Sequence, residues 1–162
     1  MKHCYECGTL LTEKQCQGEG YVPYCPHCQA FRFPIFNTAI STVVLSPRQD
    51  RVLLIQQYGR QDYILVAGYV MQGESAEQTL LREVKEETNL DVMQYRYMSS
   101  EYFQKSNTLV CNFVSVVNSE DLTQTNHEID MATWFSFDEA LAAIKKDSLA
   151  QKFLNRALAV LR

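Results

Sequence analysis

No stretch of this 162-residue chain approaches 18 uninterrupted apolar residues, so no membrane-spanning helix is expected. The first residues, Met1-Lys-His-Cys4-Tyr-Glu-Cys7, hold no apolar signal region. Secretion is therefore not expected, and the cytoplasm is the expected setting. Basic charge is also scarce. Fifteen Lys and Arg stand against 19 Asp and Glu, a net charge of −4, which leaves no footprint for non-specific nucleic-acid binding. Repeats and low-complexity tracts are absent. What is present is 46% hydrophobic content, enough for a sizeable core, in a length that suits one domain or one domain with a small attachment.

The most informative segment runs from Gly68 to Leu90. It reads Gly68, five residues, Glu74, seven residues, then Arg82-Glu83-Val-Lys-Glu86-Glu87-Thr-Asn89-Leu90. Ser75 followed by Gln78 is a capping-box pattern and predicts a helix from Ala76. Asn89 is the next-best residue to glycine for a left-handed C′ position, so the helix should stop near Thr88. At about 100° per residue, Leu80, Leu81, Val84 and Thr88 share one face. Glu83, Glu86 and Glu87 fall within about 100° of each other on a different one. Glu83 and Glu87 are like charges at i,i+4, and Glu86 and Glu87 sit where the helix dipole disfavours anions. A hard divalent cation resolves both penalties. Two local rules broken at one spot point to function.

Six cysteines in a cytosolic setting read as metal ligands or core residues before disulfides. Cys4-x₂-Cys7, seventeen residues, then Cys25-x₂-Cys28 is zinc-ribbon spacing. Two such turns close one tetrahedral Zn²⁺, favoured here over two disulfides or a redox pair. Four thiolates leave no open coordination position, so this zinc, one per chain, is structural. A segment this small should depend on the metal for its fold. His27 is expected at the surface, Cys16 as a bystander in the ribbon loop, and Cys111 as a buried strand residue.

The ribbon should occupy residues 1–34 and a second domain residues 35–162, with Pro34 at the exit. Strands are expected at Asn37–Leu45 and Arg51–Gln57, joined as a hairpin through Ser46–Asp50. Further strands are expected at Tyr63–Ala67, Asp91–Ser100, Thr108–Val117 and Met131–Phe135. Capping patterns at Ser136/Glu139 and Ser148/Gln151 start two more helices, the first reaching about Lys145. The pattern fits an α/β domain with a mixed sheet between helices.

The Gly68–Leu90 spacing resembles the Nudix box, with Asn89 where the family has glycine. A four-cysteine ribbon ahead of it, together with Ala67-Gly-Tyr-Val, Phe33-Pro34 and Asn126-His-Glu128 before Trp134, is similar to the zinc-ribbon NADH pyrophosphatase branch. The resemblance covers nearly the whole chain, without the extra N-terminal domain of the long members. It implies the Nudix fold and metal-assisted attack of water on the pyrophosphate of a nucleoside diphosphate linked to another moiety, such as NADH, NAD, ADP-ribose or FAD, releasing AMP.

By the same resemblance Glu83, Glu87 and Glu128 hold Mg²⁺ or Mn²⁺, with the Ala67 carbonyl as a further ligand. Glu86 is a ligand or a water-orienting group, and the general base is Glu128 or Glu86. Arg82 holds the acidic cluster by ion pairing, and Glu74 supports the loop. Tyr69, Phe33, Tyr102 and Phe103 are the aromatic candidates for substrate binding. The branch's Pro- and Trp-rich stretch is replaced by Ser99–Ser106, expected to be more flexible, which leaves NADH, ADP-ribose and FAD in competition. The partner is a small nucleotide, and the resemblance implies a homodimer. Two other classes stay open. One is removal of nucleotide caps from RNA 5′ ends, against which the acidic balance argues. The other is a non-catalytic ligand sensor with the ribbon as a binding module, against which the intact glutamate cluster argues.

Overall fold

The computed structural model describes residues 2–126 and 128–161. Met1, within the expected ribbon, and His127, beside Glu128, lie outside the described residues, as does Arg162. The chain divides into two compact units, Met1–Phe36 and Asn37–Arg162.

The first unit is a three-stranded antiparallel sheet in the order β1 (Thr12–Cys16), β2 (Gly20–Cys25), β3 (Ala30–Phe31). Its interior is small: Cys4, Val22, Cys25 and Arg32 are its buried residues. Gly8 and Gln29, each directly after the second cysteine of a Cys-x₂-Cys pair, take left-handed φ of 73° and 52°. These turns swing each cysteine pair back toward the other, and only glycine makes the conformation free of strain.

The second unit is a mixed sheet of six strands. Its order is β7 (Val92–Phe103), β8 (Thr108–Val117), β4 (Asn37–Leu45), β5 (Arg51–Gln57), β9 (Ile129–Ser136), with β6 (Val66–Tyr69) paired to the first half of β4. β4 and β8 run parallel in unbroken register from Asn37↔Thr108 to Leu45↔Val116; the other pairs are antiparallel. The central strands are apolar on both sides, as a doubly covered sheet requires. Val43, Leu45, Val52 and Leu54 pack with Phe153, Leu154, Ala157 and Leu158 of α3 (Leu149–Leu161) and Ala140 of α2 (Phe137–Ala143). The alternate residues Val44, Leu53 and Ile55 pack with Leu80 and Val84 of α1 (Ala76–Thr88). No helix among the described residues is long and apolar enough to cross a membrane.

α1 begins and ends where its caps predict. Ser75 accepts from Gln78 N–H, Gln78 returns a bond to the Ser75 N–H, and Asn89 closes the helix at φ 56°. Its faces differ from the expectation. Thr79, Leu80, Val84, Glu87 and Thr88 are buried, while Leu81 is 41% exposed. On an ideal helix Glu87 lies only about 20° from Leu80, in the middle of the buried arc, and Leu81 about 100° away, at its rim.

Other elements shift in detail. β6 starts later than expected, Tyr63 and Ile64 making only isolated bridges. α2 stops at Ala143, and Gln151 caps the N–H of Asp147 rather than that of Ser148. β7 runs through Phe103, so the Ser99–Ser106 stretch is not a flexible loop. Ser99 to Phe103 pair with Asn112 to Thr108, and Gln104–Ser106 form a 3₁₀ turn. Without proline every N–H in the stretch is free to join the ladder. Cys111 lies in β8 as expected but is half-buried rather than buried.

Candidate active site

The centre of the site is Arg82. Its Nε and Nη2 grip the two oxygens of Glu74 at 2.7 and 2.9 Å, a bidentate pair. Nη1 donates to Glu83 at 2.7 Å and Glu86 at 3.0 Å, and Nη2 also donates to the Tyr69 carbonyl at 3.1 Å. One guanidinium thus ties the loop before α1, the end of β6 and two glutamates of α1 together. Glu74 is further held by the Met71 N–H and the Thr79 hydroxyl. Its carboxyl is lowered to about 2, first by Arg82 and then by these two donors. Glu74 is therefore an ionised anchor for the loop.

Glu83 and Glu87 sit differently. Burial raises the Glu83 carboxyl, and the hydrogen bond from Arg82 opposes that rise. Glu87 is 3% exposed. Burial, with added repulsion from Glu83, Glu128 and Glu86, pushes it up to about 8 against the help of the Gln57 amide. Gln57 Nε2 donates to Glu87 Oε1 at 2.7 Å, while Glu87 Oε2 is buried with no hydrogen-bond partner among the described residues. An uncompensated buried carboxylate oxygen is costly. Gly68 lies hard against Glu83: a Cβ there would come within 2.0 Å of the Glu83 carboxyl. A hard donor set, an orphaned oxygen and a cradle kept open by glycine together fit a divalent cation.

A cleft of about 600 Å³ joins these groups. Glu83, Glu87 and Glu128 line it together with Ala67, Gly68 and Tyr69. Its remaining wall is mostly apolar and includes Leu149, Ala150 and Phe153 of α3. Glu128 is exposed, and the Tyr58 hydroxyl reaches its Oε2 at 3.4 Å. Glu128, with burial second, raises the Tyr58 phenol.

Three expected residues of the second unit, Tyr102, Phe103 and Glu86, are outside the cleft lining. Tyr102 and Phe103 are exposed on β7 and are not among the lining residues, Tyr102 donating to Asn107 Oδ1 at 2.7 Å. Alternation along β7 and its pairing to β8 set where they point. Glu86 is held by Arg82 beside the cleft rather than in its lining. Phe33 belongs to the first unit, where it is 52% exposed. The sequence reading missed Gln57 and Tyr58. Their partners Glu87 and Glu128 lie 30 and 70 residues away, and no local pattern marks such contacts.

In the first unit, Cys4, Cys7, Cys25 and Cys28 bring their sulfurs within 4.8 Å of one another. The Cys7–Cys25 and Cys4–Cys28 separations are 3.5 and 4.0 Å. Four sulfurs about 2.3 Å from one tetrahedral centre stand about 3.8 Å apart, so the cluster has the size of a metal site. A disulfide needs about 2.05 Å, and the four cysteines are free. Cys28 and Cys4 shift in opposite directions. Cys28 is pushed up to about 12, first by its hydrogen bond with Cys7 and then by burial. Burial also opposes ionisation of Cys4, but hydrogen bonding, led by Arg32, outweighs it and lowers Cys4 to about 6. Arg32 Nε donates to Cys4 Sγ at 3.1 Å. His27 is exposed, 4.0 Å from Cys28 Sγ.

Comparison with known proteins agrees with this geometry. A family model described as the NUDIX domain matches residues 36–157. The NAD-capped RNA hydrolase NudC of Pseudomonas aeruginosa (strain LESB58) is 31% identical over 160 residues, covering 98% of this chain and 57% of that protein. The NudC of Haemophilus influenzae (strain PittGG) is 28% identical over 164 residues, with 97% and 60% covered. The chain therefore spans less than two thirds of the length of these relatives. A NUDIX hydrolase structure from Nitrosomonas europaea superposes with a TM-score of 0.65 at 19% identity, covering 97% of this chain and 88% of that one. The NUDIX domain of Shewanella oneidensis NrtR, complexed with ADP ribose, gives 0.66 at 16% identity, with 86% and 94% covered. At these identities the two structures speak for the fold.

Proposed function

The chain belongs to the Nudix family, and from that premise we propose that it hydrolyses the pyrophosphate of a nucleoside diphosphate linked to another moiety, releasing AMP. The observation that carries the reading is the buried Glu87, whose unpaired oxygen lies among the Glu83 and Glu128 carboxylates of one cleft. In this reading Glu83, Glu87 and Glu128 hold Mg²⁺ or Mn²⁺, with the Ala67 carbonyl as a further ligand. When bound, the cation neutralises phosphate oxygens and lowers the pKa of the attacking water. Arg82 keeps Glu83 and Glu86 in position, and Glu128 or Glu86 takes the proton of the water. Tyr69, in the cleft wall, offers its ring to the base. The intact carboxylate cluster favours an enzyme over a ligand sensor. A homodimer, implied by the family resemblance, and a cytoplasmic setting belong to the same proposal.

The substrate class includes NADH, NAD, ADP-ribose and FAD. Tyr102 and Phe103 are not among the residues that line the cleft, and the stretch that carries them holds no tryptophan or proline. The chain thus has little to separate a nicotinamide from a free ribose. We expect kcat/KM for NADH and ADP-ribose to agree within about tenfold, about 1.4 kcal/mol of differential transition-state binding. Side-by-side assays of AMP release under one metal condition measure this. A thousandfold preference for NADH would contradict it, and activity confined to nucleoside triphosphates would overturn the pyrophosphatase reading. A second reading, cleavage of a nucleotide cap from RNA, is favoured by the NAD-capped RNA hydrolases among the relatives. Capped RNA belongs in the same screen.

For the first unit we propose a structural Zn²⁺ held by Cys4, Cys7, Cys25 and Cys28. Purified protein should contain about one zinc per chain, and Cys25→Ser should lose it together with the ordered sheet. Cys25 is fully buried, so the loss is not confined to one ligand. Metal analysis of native protein that finds no zinc, or iron instead, would sink this assignment.

A further inference from the structure

The end of β5 closes one side of the carboxylate cleft, and its backbone is held in an uncommon shape. The ladder to β9 shifts register there: Gln56 faces Met131 and Gln57 faces Ile129, so Asp130 has no partner across the ladder. Bulges of this kind re-aim side chains next to active sites. Asp130 instead accepts the Gly59 N–H at 2.6 Å. Gln56 Nε2 donates to the Gln61 carbonyl at 2.5 Å. Tyr58 and Gly59 both take left-handed φ, 57° and 68°. For a tyrosine that conformation is strained and persists only where its surroundings impose it.

Two side chains leave this pinned segment toward the cleft. Gln57 reaches Glu87 Oε1 at 2.7 Å, and Tyr58 reaches Glu128 Oε2 at 3.4 Å. Glu87 comes from α1, and Glu128 from the turn just ahead of β9. The bulged strand end is thus a common reference for two carboxylates that no single element carries. At Glu87 the consequence is sharp. One oxygen is occupied by the Gln57 amide, and the other is buried and unpaired. The carboxylate is therefore held by one oxygen and keeps the other, Oε2, unengaged.

We propose that Gln57 is the positioning residue for Glu87, its amide holding Oε1 so that Oε2 is presented to the metal, with Tyr58 acting more weakly on Glu128. The proposal rests on the metal assignment of the preceding reading. It goes beyond that reading by assigning a determinant of metal binding that is not itself a ligand. Gln57 also lines the cleft, and its action on the metal runs through its bond to Glu87. Its loss should weaken metal binding whether or not substrate is present.

Mn²⁺ binding to the whole protein, followed by loss of the free-ion electron paramagnetic resonance signal, tests this without a substrate. Gln57→Met keeps the length of the side chain and removes the donor, and it should raise the Mn²⁺ Kd about tenfold or more. Gln57→Asn keeps an amide one carbon too short and should weaken binding in the same direction. It stands in if the methionine variant does not melt cooperatively. Gln56→Met removes the neighbouring bond to Gln61 at the same strand end. It should lower the melting temperature and leave the Kd within about twofold. A Gln57 variant with wild-type Mn²⁺ affinity would overturn the proposal, and so would an equal loss in Gln56→Met. If Gln57→Met weakens Mn²⁺ binding but the wild type cleaves no nucleotide diphosphate, the functional reading fails and the positioning role stands. A wild-type protein that binds no Mn²⁺ overturns both.

Discussion

Glu87→Gln should lose pyrophosphate hydrolysis by about three orders of magnitude while making the metal-free protein more stable at alkaline pH. The loss follows from the lost metal ligand. A cation's stabilisation of transition-state charge is worth several kcal/mol, and each factor of ten in rate is about 1.4 kcal/mol. The stability gain follows from linkage. Folding raises the Glu87 carboxyl from 4.5 to about 8. The folded state therefore holds this proton more tightly than the unfolded one. The contribution to stability is fully present below about pH 4.5 and is lost as pH rises through about 8.

Above that window the ionised, buried carboxylate costs on the order of 3 to 5 kcal/mol. A glutamine keeps the bond from Gln57 and carries no charge. Its own cost is an unpaired amide, roughly 1–3 kcal/mol. The relief of charge is the larger quantity, so the melting temperature of the metal-free variant at pH 8.5 should rise by about 5 °C. Near pH 5 the two proteins should differ little. Saturating Mg²⁺ should reverse the order, because binding to the folded state stabilises only the protein that binds. Near-normal turnover of the variant at saturating Mg²⁺ would refute the ligand assignment. A lower metal-free melting temperature at pH 8.5 would refute the linkage argument.

The burial on which that prediction rests was hidden in the sequence. The bounds of α1 were legible because they depend on residues three apart, Ser75 with Gln78, and on one left-handed Asn89. β4, β5 and β8 were legible because their apolar runs are bounded by turn residues. Which arc of α1 faces the sheet was less legible. A helical wheel treated the three glutamates as one polar face. The sheet instead meets α1 along Leu80, Val84 and Glu87, leaving Glu86 outside and Leu81 at the edge.

The Ser99–Ser106 stretch misled for another reason. The absence of proline suggested flexibility in isolation. In the fold, that absence supplies the N–H donors that let β7 continue to Phe103. Gln57 shows what pattern reading cannot reach. Its role depends on a register shift opposite Asp130 and on a partner in a different element, and neither leaves a periodic or spacing signal.

Gly68→Ala should lower kcat/KM by about a hundredfold with little effect on folding. Gly68 does not have a left-handed φ, so alanine meets no backbone penalty in β6. The obstacle is in space. Its Cβ would lie 2.0 Å from Cδ and Oε1 of Glu83 and 2.6 Å from its Cγ. These atoms end a flexible side chain, so Glu83 can swing aside, and stability need not fall by more than about 1 kcal/mol. The displaced carboxylate loses its place beside Arg82 Nη1 and its alignment with Glu87 in the cleft. Misplacing a catalytic group by about 1 Å costs on the order of a hundredfold in rate. The Mg²⁺ concentration for half-maximal activity should rise in parallel, because a ligand has moved. The expected signature is an intact metal-free melting temperature with lost activity. A Gly68→Ala protein with wild-type kcat/KM would show that Glu83 has a second productive position, and the cradle argument would fail. A large drop in melting temperature would show instead that Glu83 is locked more firmly than its one bond to Arg82 requires.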